Sequence, residues 1–181
     1  MFSSEFVKII RQEMPSRVEL ESFGLEPHEI AAVQASFLAV ARMPEVQIAS
    51  NISELEKLIS AYDCSGVEVG LIRFLAESRP HSHGVQVAYC EADSIVVEAT
   101  GEVAMYDHAD GRRSLSCAQE SMRFLDALRV FVEMRNNKPK WNGRAEEAAN
   151  LCAEMAGGGA ICVVLQVAVR PLLIFHVNLS Y

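Results

Sequence analysis

His81 and His83, two residues apart, are the first residues whose types and spacing suggest chemistry. On a strand, such a pair points to one face, and two imidazoles there can hold a metal ion. The stretch 78–84 (SRPHSHG) reads as a loop after Pro80, so exposed polar residues are the first expectation. Asp107, His108 and Asp110 offer further ligands, but nothing in the spacing brings the two loops together. Cys90 and Cys117 could each act as a nucleophile beside a histidine. A lone cysteine on a half-buried strand is more often core. Glu91 and Asp93 could share acid–base work, but beside a hairpin such carboxylates more often solvate a turn. Gly157, Gly158 and Gly159 lack the Lys-Ser/Thr of a phosphate loop, and a helix C-cap explains them better. Trp141 reads as a core anchor before it reads as a partner contact. No catalytic residue, metal or cofactor is expected.

The elements that would position these residues follow from periodicity. Residues 3–13 read as a short helix with Phe6, Ile9 and Ile10 on one side and Ser3 or Ser4 as cap. Pro27 suits the first position of a second helix. Its apolar residues are Ile30, Val33 and Phe37, and it should stop near Arg42 and Met43, before Pro44. A short strand is expected at 46–49. Ser53 and Glu56 form a capping-box pattern for a helix carrying Leu55, Leu58 and Ile59. Residues 66–75 (GVEVGLIRFL) are β-rich. Val85, Val87 and Tyr89 alternate against Gln86 and Ala88, which predicts a strand over 85–90.

A second strand spans 94–98, Thr100 and Gly101 form the turn, and 102–106 returns. On the return strand Val103 and Met105 face one side, and Ala104 and Tyr106 the other. A turn over 107–113 (DHADGRR) leads to a short strand and then the clearest amphipathic helix. Met122, Leu125, Leu128 and Val132 form its stripe, flanked by Phe124 and Phe131. Ser116 and Ser121 are alternative caps, and the helix ends near Asn136 and Asn137. A last helix is predicted over 143–155.

Half of the 181 residues are apolar and 22% are charged, enough to bury one core. One domain is expected over 1–181, with its core at about 18–160. The formal net charge of −8 argues against nucleic acid, because phosphates require Lys and Arg. It fits solubility, and also a basic partner. The five cysteines, Cys64, Cys90, Cys117, Cys152 and Cys162, are widely spaced, with no CxxC and no secretory leader pattern. Buried thiols in a reducing cytoplasm are the economical expectation. The apolar run 161–181 is split by Arg170 and Pro171, so each half is too short for a membrane helix. A strand–turn–strand unit or a buried tail is expected there instead, with no membrane anchor.

The order of elements from Gln86 to Val132 resembles the SUKH superfamily of bacterial immunity proteins, also called SMI1/KNR4-like. Its carriers are Asp93, then Ile95-Val96-Val97, then Thr100-Gly101-Glu102-Val103, then Tyr106-Asp107-His108, and Ser121 with Phe124-Leu125. The chain departs from the family pattern at Gly24-Leu25-Glu26-Pro27, where a Leu-Pro pair is common. Met43-Pro44 stands where a Gly is common, and Ala92-Asp93 where a Gly-Asp pair is. The resemblance implies an α+β fold, a twisted and mainly antiparallel sheet packed against helices. It implies a non-catalytic cytoplasmic protein, monomer or homodimer, that neutralises a toxin domain by direct binding. Such a toxin is often a nuclease or deaminase, and the charge of this chain suits a basic one. The alternatives are a small acidic chaperone for a secreted effector, and an enzyme or metalloprotein built on the His81/His83 loop. The contact residues expected are Glu91, Asp93, Glu98, Glu102, Asp107 and Asp110. The competing expectation for these carboxylates is ordinary solvated turns.

Overall fold

The computed structural model describes residues 1–42, 51–136 and 144–158. The expectations at 43–50, at Trp141, at Gly159 and over 161–181 lie outside the described residues.

Alternation of apolar and polar residues from Glu68 to Ala118 builds an antiparallel meander. Its strands are β3 (Glu68–Val69), β4 (Ile72–His81), β5 (Gly84–Cys90), β6 (Asp93–Glu98), β7 (Val103–Tyr106) and β8 (Arg113–Ala118), each hydrogen-bonded to the next. A separate two-stranded ladder pairs β1 (Val40–Ala41) with β2 (Tyr62–Asp63). Helices are α1 (Ser3–Gln12), α2 (Arg17–Ser22), α3 (Pro27–Ala35), α4 (Glu54–Ala61), α5 (Ser121–Asn136) and α6 (Ala145–Met155). The class is mixed α and β with an antiparallel sheet, as expected. No described helix is long and apolar enough to cross a membrane.

One sheet face meets α1, α4 and α5 in a continuous core. Phe6 and Ile10 of α1, Leu55, Leu58 and Ile59 of α4, and Phe124, Leu125, Leu128 and Phe131 of α5 pack with Phe74, Ile95, Val97 and Val103 of the sheet. Phe6 meets Phe74 edge-to-face, with ring centroids 6.0 Å apart. The two α5 phenylalanines, expected to flank the stripe, are themselves fully buried.

Several local expectations change. Neither Ser3 nor Ser4 caps α1; the N-cap is Phe2, without a side-chain bond. The exposed Ser3 N–H instead donates to Glu54 Oε2 at 3.1 Å, so a carboxylate from α4 does the capping. The second predicted helix stops at Ala35 rather than near Arg42. The Ser36 hydroxyl bonds back to the Val33 carbonyl, and Val40–Ala41 enters the ladder with β2. The helix α2 is not expected from the sequence, although Ser16 is a good N-cap residue and its hydroxyl accepts the Glu19 N–H at 3.2 Å. Gly70, in the left-handed region at φ 63°, splits the β-rich run 66–75 into β3 and β4.

The expected loop over 78–84 is mostly strand. β4 continues to His81, pairing Arg79 with Gln86, Pro80 with Val85 and His81 with Gly84. Only Ser82 and His83 turn. Pro80 is tolerated because β3 pairs only with Arg73 and Ile72, which leaves the rest of β4 an edge. That edge is protected by Glu77, Arg79, Pro80 and the Arg42 guanidinium, which donates to the Ala76 carbonyl. The predicted alternation along 85–90 is broken by a register shift between Gln86 and Ala88. The extra residue there turns Ala88 to the core face opposite Ile95, so Val87 and Ala88 are both core. Ser116 caps nothing; it lies on β8. Ser121 opens α5, and its hydroxyl accepts the Glu54 N–H at 3.1 Å. Gly157 and Gly158, at φ 82° and 87°, end α6 as expected.

Gly84 is the position where glycine matters most. At φ 154° its backbone lies against β6, and a Cβ there would fall 2.1 Å from the Val97 carbonyl oxygen. Replacing it with Ala forces the β4–β5 tip off the sheet. Gly84→Ala is expected to lower unfolding free energy by about 1–3 kcal/mol, read as a reduced urea midpoint. An unchanged midpoint contradicts this packing.

Candidate functional site

The register of β6 on β7 sends alternate side chains to the sheet face away from the helices. Val96 pairs with Ala104 and Ser94 with Tyr106. Val96, Ala104 and Tyr106 form a small second cluster that is fully buried or nearly so. Gln86 lies beside it and donates through Nε2 to Ser94 Oγ at 3.0 Å. Polar groups surround this cluster. Tyr106 donates its hydroxyl to Glu98 Oε1 at 2.6 Å. Arg113 Nε lies 3.5 Å from Glu98, and Arg113 also bonds Glu102. The Ser116 hydroxyl donates to Glu102 as well.

The two imidazoles of the β4–β5 tip reach over β6 to the same tyrosine. His83 stacks on Tyr106 with centroids 4.6 Å apart and 12° between planes. The His81 ring lies 5.0 Å from Tyr106 and 5.7 Å from His83. An open cavity of about 590 Å³ borders this group, lined by His83, Glu98, Thr100, Tyr106, Arg112 and Arg113 among others. Burial, then the Glu98 carboxylate, pushes the Tyr106 phenol up to about 12. The Ser116 hydroxyl and Arg113 hold the Glu102 carboxyl below its ordinary value. Burial, then His83, lowers His81.

A second group forms at the opposite end of the strands. Glu91 and Ala92 make the two-residue turn between Cys90 and Asp93. Glu91 takes the left-handed conformation this turn demands, φ 54°, without being glycine. The loop 107–112 closes on itself. Ala109 N–H donates to Asp107 Oδ1 at 2.7 Å, Arg112 N–H to Asp110 Oδ1 at 2.9 Å, and Gly111 N–H to the Asp107 carbonyl at 2.9 Å. The two loops are clasped by Asp93. Its Oδ1 accepts the His108 backbone N–H at 3.1 Å and lies 3.0 Å from His108 Nδ1. That hydrogen bond raises His108 above the ordinary imidazole value.

The six expected contact carboxylates therefore divide. Glu91, Asp93, Asp107 and Asp110 gather at the clasped tip. Glu98 and Glu102 lie beside the outer face and are bound by Tyr106, Arg113 and Ser116. The loops of His81/His83 and 107–110 do not pool ligands: both imidazoles sit on Tyr106, and His108 turns to Asp93. Asp93, Asp107 and His108 bring their donor atoms within 4.8 Å of one another, on two loops rather than one. The thiols behave as core. Burial pushes Cys64 and Cys117 up to about 12 and Cys90 up to about 11, which makes each a poor nucleophile near neutrality.

Tyr106 and Arg113 do not stand out in the sequence as functional residues, and His108 stands out only as a possible metal ligand. They act across strands, and only the register places Arg113 opposite Tyr106. No protein-family model, curated protein or solved structure matches this chain.

Two measurements check this geometry. In an alkaline absorbance titration, a tyrosine phase should appear well above the ordinary phenol value, and Tyr106→Phe should remove that late phase. A late phase that persists in the variant contradicts the Tyr106–Glu98 bond. In a proton NMR titration, Asp93→Asn should bring His108 down toward the ordinary imidazole value. A His108 titration identical in both proteins means the clasp does not form in solution.

Proposed function

We propose that this chain is a non-catalytic cytoplasmic binding protein, of the immunity type, that neutralises a toxin domain by direct contact. The clasped acidic tip carries the reading. Four carboxylates stand there against one imidazole and one guanidinium, on loops tied to each other and to themselves. Loops ordered before contact lose less entropy on binding. A local excess of negative charge steers a cationic surface and speeds its arrival. A basic nuclease or deaminase domain has that chemistry. The resemblance to SUKH proteins along 93–125 supplies the toxin as the class of partner. The element order of strand, turn, strand, loop, strand and helix is compatible with it. Within the six carboxylates, the tip four form the contact, and Glu98 and Glu102 serve as scaffold.

A different observation favours the second reading, an acidic chaperone for a secreted effector. The exposed large apolar side chains among the described residues are Phe2, Val18, Phe23, Leu38 and Val40, all in the first 42 residues. An unfolded client would bind such side chains.

Co-expression with toxin domains encoded beside it should yield a stable complex and protect the host cell. Reversing the exposed Glu91 to Lys should slow association severalfold at low salt and leave the melting temperature unchanged. Capture that ignores this reversal but is lost in a Val18→Ser/Phe23→Ser variant would select the chaperone reading. No complex with any such domain, and no protection, would sink the immunity reading.

A further inference from the structure

The β4–β5 tip carries more than a turn requires. Its two imidazoles span the strand between β5 and β7 to rest on one phenol ring, above a dry patch formed by Val96 and Ala104. Gly84 lets the tip approach the Val97 carbonyl more closely than any other residue could. Register shifts in both the β4–β5 and β5–β6 ladders bend the hairpin over that face.

We propose that the His81 and His83 rings form a latch over Tyr106 whose proton-sensitive member is His81, holding the β4–β5 tip across the outer sheet face when His81 is neutral and releasing it when His81 is protonated.

The surroundings favour a neutral His81 ring. Each imidazole faces the other, 5.7 Å away between centroids. On β4, Arg79 turns to the Tyr89 hydroxyl, to which it donates at 3.5 Å. Arg112 and Arg113 share the cavity wall with His83. The nearby anions are Glu98 of β6 and Glu102 of the following turn. Both are already engaged, Glu98 by Tyr106 and Arg113, and Glu102 by Arg113 and Ser116. Tyr106 itself stays protonated as a donor to Glu98. A proton on His81 therefore meets partial burial and the neighbouring His83 ring, and finds no carboxylate among the described residues hydrogen-bonded to it. His81 Nδ1 also accepts the His83 backbone N–H at 3.3 Å, a bond that a proton on that nitrogen abolishes.

The sign follows from the direction at His81. Its proton is held less tightly in the latched form, so the open form binds more protons and latching strengthens as pH rises. The latch is complete above the ordinary imidazole value of about 6.5 and is lost progressively below it. Opening uncovers Val96, Ala104 and the Tyr106 ring, an apolar and aromatic patch of the kind partners use. The outer face would then bind in acid and stay closed at neutrality. The latch residues differ from the tip carboxylates, although Gly111 and Arg112 of the tip loop border the same cavity as His83.

Amide hydrogen exchange of the full chain, corrected for intrinsic rates, tests the latch at pH 7.5 and pH 5.0. Protection over residues 82–86 should fall severalfold in acid, since the open form binds the His81 proton more tightly. A His81→Phe/His83→Phe variant keeps two rings and loses the titration, so its protection should be the same at both values. Wild-type protection that does not change, or a variant that loses as much as the wild type, overturns the proposal. Proton NMR of the wild type gives a check that needs no variant. His81 must titrate below the ordinary imidazole range, and a value at or above it also overturns the latch.

Discussion

The pairing of β6 with β7 is the constraint on which the molecule depends. Ile95 opposite Met105 and Val97 opposite Val103 turn inward to the helices, while Val96 opposite Ala104 and Ser94 opposite Tyr106 turn outward. A slip of one residue would exchange the two faces, burying Tyr106 among the helices and exposing Ile95. Both faces are apolar enough to resist that slip, the inner one through Phe124 and Leu125 of α5, the outer one through its own small cluster. The same register fixes the chemistry. It places Tyr106 within reach of Glu98 and brings Arg113 beside both Glu98 and Glu102.

Charge is consequently sorted by position rather than spread over the hairpins. On the outer face, Glu98 and Glu102 share the Arg113 guanidinium and accept from a phenol and a hydroxyl, and the group is structural. At the end formed by Glu91–Asp93 and 107–112, carboxylates exceed cations and most of their bonds are to backbone amides. A carboxylate bonded to an amide keeps its full negative charge, whereas one paired with Arg largely loses its field. The tip is thus both ordered and anionic, a combination suited to recognition of a basic surface. The described sulfur chemistry points the same way. Burial holds the thiols of Cys64, Cys90 and Cys117 protonated.

Much of the fold was legible where local signals agree with tertiary packing. Ser53 and Glu56 cap α4 as their spacing predicts, Gly101 turns β6 into β7, and Leu125, Leu128 and Val132 of the α5 stripe are buried, with Met122 half-buried. The sheet surface was less legible. Proline and two histidines made 78–84 look like a loop, because edge-strand tolerance of Pro80 depends on what fails to pair beside it. The bulge at 86–88 was hidden for a related reason: one added residue leaves an alternating pattern intact on paper and shifts it in space. In the candidate site, the acidic residues were visible as types. Their division into a neutralised set and a charged set was not, since Arg113 and His108 reach them only through cross-strand and cross-loop geometry. The helix after Ser16 was missed for want of an apolar stripe; only Leu20 of α2 is buried.

The central claim, that an ordered acidic tip is the proposed contact surface, is tested most directly by comparing amide exchange of the chain free and bound to a basic toxin domain captured by co-expression. Slower exchange confined to residues 91–93 and 107–112 is the result predicted. Slowing at Val18–Phe23 and Leu38–Val40, with the tip unchanged, would contradict it.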